Sequence, residues 1–503
     1  MVVTNSKRIA MNTVIMYSRM LIVMFLSFYS SRILLSTLGV TDFGILSVVG
    51  SITVSFAAIK GLFSESIQCF LNVAKGRQEN SLEEQRRIFY LSIVIHIVLA
   101  LLFFIIAECI GIWLLNKHLE IPLDRLDSAY FVFHVSVIAT TISIMSIPYD
   151  AVVIANERMS FYAILSLFDN IIRLVFILFL PIIGLDYLKT YSLFILFVPL
   201  TTFIIQLIYC KRFAECTFIK TFDKTLFRGM LSLSSWNFFG NICFSLIHEG
   251  INMMLNIYGG VVMNASRAIA YQVKNVANQV STNTLVAVRP KIMQYSIQKE
   301  KCAYFDDIFL LSRLSFFLLA IVVFPLFIFC PNLLNVWLGE YPEASVIFTR
   351  VILISLFVRT LHEPINMMNM AFAKIRRQII VESIIMLFAF AMIYLSFDFT
   401  DNIAMPFVIL TIMEIFVMVG LIINAKYEVD FPLVMYVKKV VIPMIVLVVL
   451  SFFSGLFIIK LPISNIGMLM LGSLSAVIVE LVICFILLDN RERNILKRLL
   501  IKK

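Results

Sequence analysis

The stretch YGGVVMNASRAIAYQVKNVANQVSTNTLVAVRPKI, residues Tyr258–Ile292, is long enough to cross a bilayer as a helix. It nevertheless carries Asn264, Arg267, Lys274, Asn275, Asn278, Gln279, Ser281, Thr282 and Asn283. Asn264, Arg267, Tyr271, Lys274, Asn278 and Thr282 follow one another at steps of three and four and so share one stripe of a helix, while Ile269, Val276 and Val280 lie away from it. A cation at the bilayer centre costs about 2.5–3.5 kcal/mol on insertion scales. The stripe therefore predicts water or a partner opposite it, inside a bundle of membrane helices, and function is to be sought beside it.

The flanking sequence supports a bundle. Of 503 residues, 61% are hydrophobic and only 14% charged, with a mean hydropathy of +0.97. These values describe a polytopic membrane protein and leave no room for a sizeable soluble domain. Runs near or above the roughly 20 residues needed to span a bilayer give about fourteen predicted spans. They lie near 11–37, 42–73, 88–115, 127–148, 160–183, 188–210, 228–257, 261–290, 306–330, 344–371, 379–397, 402–425, 433–459 and 463–488. The first run follows Lys7 and Arg8 but lacks a small-x-small cleavage site before Gly39, so it reads as a retained span. Eight scattered cysteines form no C-x-x-C pair, and no histidine stands at ligand spacing. Neither a disulfide framework nor a metal site is implied. Cys210 and Cys216, next to Lys211 and Arg212, are expected to stay reduced.

The net charge of +10 is a topology signal and excludes nucleic acid as its explanation. Lys75, Arg77, Arg86 and Arg87 follow span two, and Lys211, Arg212, Lys220, Lys224 and Arg228 follow span six. Arg289, Lys291, Lys299 and Lys301 follow span eight, Lys374, Arg376 and Arg377 follow span ten, and Arg491, Arg493, Lys497 and Arg498 follow span fourteen. Even-numbered connections hold the cations, which places both termini in the cytoplasm.

An internal repeat emerges at a shift of about 220 residues. Leu91-Ser92 returns as Leu311-Ser312, Trp113 as Trp337, and Pro148 with Ala155 and Arg158 as Pro364 with Ala371 and Lys374. Six spans separate the copies, so the halves are parallel repeats, an arrangement in which transporters bind substrate between halves and rock to alternate access. The predicted organisation is an N-lobe over 1–215, a C-lobe over 216–426, and a C-terminal helix pair with a basic cytoplasmic tail over 427–503. No glycine-rich phosphate loop is present, so no nucleotide-driven motor is encoded. An enzyme is not expected.

Within the spans, Arg19, Lys60, Arg267, Lys274 and Asn278 are the candidate substrate-binding residues, and Glu65 and Glu249 the candidates for ion coupling. No cofactor is implied beyond a coupling proton or sodium ion. The positive balance favours an anionic ligand, and a phosphate or diphosphate suits Arg and Lys through charge-assisted bonds. Duller assignments fit the remaining charges. Asp169 and Arg173, and Arg359 and Glu363, stand four apart and neutralise each other. Arg32 has Asp42 as a partner across the turn at Gly39. His96 and His134 read as packing residues, and Glu382, Glu414 and Glu480 as single protonated or interfacial carboxylates. His248-Glu249, near Asn241, Asn252 and Asn256, is the stronger ion-coupling candidate.

Three segments carry a family resemblance. Arg32-Ile-Leu-Leu-Ser-Thr-Leu-Gly-Val-Thr-Asp-Phe-Gly-Ile-Leu46 resembles the start of the polysaccharide-exporting, Wzx-like O-antigen flippases of the multidrug/oligosaccharidyl-lipid/polysaccharide (MOP) superfamily. Pro148-Tyr-Asp-Ala-Val-Val-Ile-Ala-Asn-Glu-Arg-Met-Ser-Phe-Tyr162 is similar to their connection after span four, and Gln279–Tyr295, with Arg289-Pro290, to their span-eight exit. The resemblance implies a flippase of the bacterial inner membrane that moves undecaprenyl-diphosphate-linked oligosaccharide, an O-antigen or capsule repeat unit, to the periplasmic leaflet. It also implies ion-gradient coupling and, as partners, the bilayer, a polysaccharide polymerase and chain-length proteins of lipopolysaccharide synthesis. Related lipid II flippases use cations in spans one, two and eight, which hold Arg19, Lys60, Arg267 and Lys274 here. Two other readings differ in what they require. A cation-coupled multidrug exporter of the same fold needs a cavity of opposite sign, and a membrane glycosyltransferase or polymerase needs a long external loop.

Overall fold

The computed structural model describes residues 2–76, 81–156, 158–183, 185–217, 223–295, 301–371, 376–400, 402–459, 466–489 and 492–493. The chain is all-α. Its helices are α1 (Val2–Gly76), α2 (Ser81–Lys117), α3 (Leu126–Ala155), α4 (Met159–Ile183), α5 (Tyr187–Cys210), α6 (Lys224–Tyr295) and α7 (Lys301–Ile328). They continue with α8 (Cys330–Leu338), α9 (Ala344–Ala371), α10 (Arg376–Phe399), α11 (Met405–Val429), α12 (Leu433–Tyr436), α13 (Ile442–Ile458) and α14 (Ile466–Leu487). Among the described residues, eleven helical segments are long and apolar enough to cross a membrane.

Two of the helices are broken by glycine. α1 bends at Gly39, with φ 75° and ψ 172°, and α6 at Gly260, with φ 69° and ψ −175°. Positive φ costs an L-residue through its Cβ and costs glycine nothing comparable. Each kink separates two of the spans expected from hydropathy, one and two in α1, seven and eight in α6. The two glycines stand at the repeat shift read from the sequence. Close approach explains a third glycine: a Cβ on Gly44 would overlap the carbonyl oxygen of Val261.

The chain forms two compact units, Met1–Ala265 and Ser266–Lys503. In the first, α3 is the central helix and packs on α5, α1 and α2, with α4 against α1 and α5. In the second, α9 takes that place, packing on α11 and α7, with α10 against α11. The α3 contacts with α5 and α2 thus have counterparts in the α9 contacts with α11 and α7, and the α4–α5 contact in that of α10 with α11. The single 37-residue helix α2 is matched by α7 followed by the nine-residue α8, and Trp113 and Trp337 fall in these matching segments. Pro148 lies inside α3 and Pro364 inside α9. The last helices are the added pair. A π-helical turn, Val437–Val441, leads from α12 into α13, and α14 packs on both α13 and α7.

Polar clamps hold the ends of the first unit. Arg125, between α2 and α3, binds Asp42 through Nε at 2.8 Å and Asp186 through Nη1 at 3.0 Å, and the Ser128 hydroxyl donates to Asp186 at 2.9 Å. Asp42, expected to face Arg32, is therefore engaged by Arg125. Partial burial works to raise the Asp186 pKa, but the backbone N–H of Lys189, the Ser128 hydroxyl and the Arg125 guanidinium together hold it below the ordinary aspartate value. At the other end, Lys75 donates to the Ala155 carbonyl (3.0 Å) and Asn156 Oδ1 (2.8 Å), and Asn156 Nδ2 donates to Glu215 (2.6 Å). Gln206 donates to the buried Asp150 at 2.5 Å. The motif around Pro148–Tyr162 thus closes helix ends.

Candidate functional site

The second arm of α6 sorts its polar stripe by depth. Asn264, just past the kink, is fully buried and joined to the first arm: its Nδ2 donates to the Asn252 carbonyl (2.7 Å) and Asn252 Oδ1 (2.9 Å), and its Oδ1 accepts from Asn256 (2.9 Å). Asn252 donates onward to the Ser47 carbonyl (3.1 Å), while Asn256 exchanges bonds with the backbone N–H and carbonyl of Glu120 (2.8 and 3.3 Å). These amides therefore stitch the kink to α1 and to the α2–α3 connection. Asn264 belongs to that scaffold and not to a cavity wall, and Asn252 and Asn256 are satisfied by it. His248 and Glu249 are half-buried on the first arm. The side chains of Lys60, Glu65 and Asn241 lie outside the described residues.

Further along, Arg267, Tyr271 and Lys274 form a sandwich. The Arg267 guanidinium lies 4.1 Å from the centre of the Tyr271 ring and Lys274 Nζ 4.8 Å from it. A cation over an aromatic face gains about 0.5–2 kcal/mol, more as water is removed, so the ring fixes both cations on one side of the helix. Arg267 is 5% exposed. Lys274 stands fourteen residues past Gly260, about 20 Å along the axis. Asn278 is half-buried one turn on, and its carbonyl accepts from Thr282 at 3.1 Å.

Lys274 is not alone in the second unit. It interacts electrostatically with Arg359 and Glu414 as well as Arg267. Arg359 Nε donates to Glu363 at 3.2 Å, the expected intrahelical pair. His362 Nε2 lies 3.1 Å from Glu414 Oε2, joining α9 to α11, and Glu382 of α10 interacts with His362, Glu414, Arg359 and Glu363. Glu414 and Glu382, read from the sequence as single carboxylates, are members of this cluster. No spacing signals it, because each residue is isolated in its own apolar span.

Arg19 belongs to the first unit. It donates to Ser166 Oγ at 3.1 Å and stands 5.3 Å from the Tyr162 ring, tying α1 to α4. The Asp169–Arg173 pair forms as expected, at 3.1 Å. His134 is not a lone packing residue, since its Nδ1 meets Glu108 at 2.8 Å. His96 is buried, and its Nδ1 meets the Ser92 carbonyl at 2.6 Å. Ser451 Oγ lies 2.8 Å from the Leu447 carbonyl and 2.9 and 3.0 Å from the Glu480 oxygens. One hydroxyl has one proton. The Ser451 proton is therefore shared between the Leu447 carbonyl and the Glu480 carboxyl. Glu480 and Ser451 line an apolar cavity of about 660 Å³ between α7, α9, α13 and α14. It is distinct in composition from the charged cluster.

No protein-family model matches the chain, and no curated protein matches it. Solved structures do. The lipid II flippase MurJ in an inward closed conformation superimposes with a TM-score of 0.64 at 12% identity, over 98% of this chain and 100% of that one. A Vibrio cholerae MATE transporter, VcmN, gives 0.60 at 14% identity, over 84% of this chain and 98% of that one. An inward-facing multidrug resistance MATE transporter of the MOP superfamily gives 0.55 at 12% identity, over 83% and 95%. The all-α, twice-repeated architecture of this chain is the fold of the MurJ and MATE transporters.

Proposed function

We propose that the chain is a flippase that carries undecaprenyl-diphosphate-linked oligosaccharide, an O-antigen or capsule repeat unit, from the cytoplasmic to the periplasmic leaflet of the bacterial inner membrane. The Arg267–Tyr271–Lys274 sandwich is the observation that carries this reading. Two fixed cations, seven residues and so about 10 Å apart along the helix axis, suit a diphosphate that must leave water, and ionised donors bind phosphate oxygens more strongly than neutral ones. Arg19, Lys60 and Asn278 complete the substrate path, and Glu65 and Glu249 serve ion coupling. The lobes are residues 1–215 and 216–426, with 427–503 appended. They alternate access by rocking about a site near the midplane, with both termini cytoplasmic. The likeness in fold to a lipid II flippase and to exporters, none of them an enzyme by name, supports transport over catalysis. A polysaccharide polymerase and chain-length proteins are the partners downstream.

The test is the sidedness of the lipid carrier in a deletion strain with no redundant flippase. Lipid-linked sugar units should accumulate facing the cytoplasm. Unchanged surface polysaccharide and unchanged sidedness would sink the proposal. The MATE-like fold keeps a cation-coupled drug exporter as a second reading, for which the same strain should gain drug sensitivity with its polysaccharide intact.

A further inference from the structure

A buried imidazole–carboxylate pair acts electrostatically on the lysine assigned to the headgroup. His362 is 5% and Glu414 6% exposed, and their 3.1 Å contact links α9 to α11. With Nε2–H donating to Glu414, Nδ1 presents a lone pair. That nitrogen is buried and has no hydrogen-bond partner among the described residues. The pair can therefore take one more proton at Nδ1 without breaking any bond it already makes.

The surroundings say what that proton would do. α6 contributes Lys274, with Arg267 acting on it. α9 contributes Arg359 and Glu363, and α10 contributes Glu382. From α12, the Tyr436 hydroxyl donates to the Leu361 carbonyl beside His362, at 3.0 Å. The cations Arg267, Lys274 and Arg359 and the carboxylates Glu363, Glu382 and Glu414 thus act on one another within this cluster. A proton on His362 converts the pair to imidazolium and carboxylate, draws Glu414 toward its own partner, and leaves Lys274 with excess positive charge.

We propose that the His362–Glu414 pair is a proton-binding site whose occupancy sets the affinity of Lys274 for an anionic headgroup, so that proton and diphosphate bind with positive linkage. The proposal rests on the reading of Lys274 as a headgroup ligand. Linkage is reciprocal: protonation tightens anion binding, and anion binding raises the proton affinity of the pair by the same factor. The coupling ion at this site is then a proton, held in the second unit.

Calorimetric titration of the purified full chain with farnesyl diphosphate tests this at about pH 5.5 and about pH 7.5, the range in which histidine changes charge. Two buffers of different ionisation heat count the protons exchanged. Affinity should be about 5-fold or more higher at the lower pH, with proton uptake exceeding that of His362→Gln and Glu414→Gln, a difference that cancels the titration of the diphosphate itself. Binding that is lost in Lys274→Ala yet shows the same pH dependence and uptake in wild type and both Gln variants overturns the linkage alone. Failure of the wild type to bind at either pH overturns the headgroup reading and the linkage with it. A measurement on the wild type needs no variant to fold: with 15N-histidine, one of the five histidines should move its titration midpoint upward when farnesyl diphosphate is added. No such movement on binding also overturns the linkage.

Discussion

The contact between α3 and α5 in the first unit and that between α9 and α11 in the second occupy the same place in the repeat, yet they bury different chemistry. In the first, Asp150 meets the neutral amide of Gln206, and Arg125 gathers Asp42 and Asp186 beside the α2–α3 connection. In the second, His362 meets Glu414 well inside the spans, within a cluster reached by three cations. The frame of each unit depends on kinked glycines and apolar faces, which a duplicated sequence keeps easily. The interior depends on a few polar positions, and a handful of substitutions is enough to place a neutral amide against a carboxylate at this contact in one unit and an imidazole in the other.

The largest effect should come from the sandwich. Each charge-assisted bond to an anion contributes about 1.5–3 kcal/mol, so Arg267→Ala with Lys274→Ala should lower polysaccharide export by roughly 100-fold or more at normal protein level. Lys274→Arg should retain much of the activity and Lys274→Gln little. Arg19→Ala, which loses a bond to Ser166, should cost less, and an equal loss would erase the contrast between units. Next is the attachment of the added pair. Arg313 binds Glu492 at 2.9 Å and Asp489 at 3.3 Å and is 5% exposed at its side chain. Removing one partner of such a buried pair costs about 3–5 kcal/mol, so Arg313→Ala should lower the thermal midpoint in detergent more than any single change in the connections.

Gly39→Ala and Gly260→Ala should cost similar amounts, about 1–3 kcal/mol each, because both sit at nearly the same positive φ with extended ψ. Unequal midpoints would show that the kinks are not equivalent. The smallest effect is the Asp186 clamp. Its lowered folded-state pKa means that the stabilisation is present above the unfolded value of about 3.9 and fades as pH falls through the folded one. Exposure limits it to about 1 kcal/mol. Asp186→Asn should therefore narrow to wild-type stability below about pH 4 and fall short of it at neutral pH.

Much of the frame was legible because it is written in local periodicity. The stripe, the repeat shift and the pairs four apart, Asp169–Arg173 and Arg359–Glu363, need only one helix to read. Periodicity states a direction around an axis and not what stands opposite. It put Asn264 on the same stripe as Lys274, although the amides of Asn252 and Asn256 claim the former. His362 and Glu414 are 52 residues apart, His134 and Glu108 26 apart. Each such residue looked solitary because its partner is on another helix. Arg313 carried no signal for the same reason.

The attachment of Arg313 also sets a timetable for synthesis. Asp489 follows it by 176 residues, and at about 5–20 residues per second the ribosome needs roughly ten to thirty-five seconds to deliver that partner. For that interval α7 has left the translocon with an arginine whose counterions do not yet exist. The nascent chain must shelter it at the lipid headgroups or in the insertion machinery, and a membrane protease that samples exposed basic spans gains its best opportunity before α14 arrives.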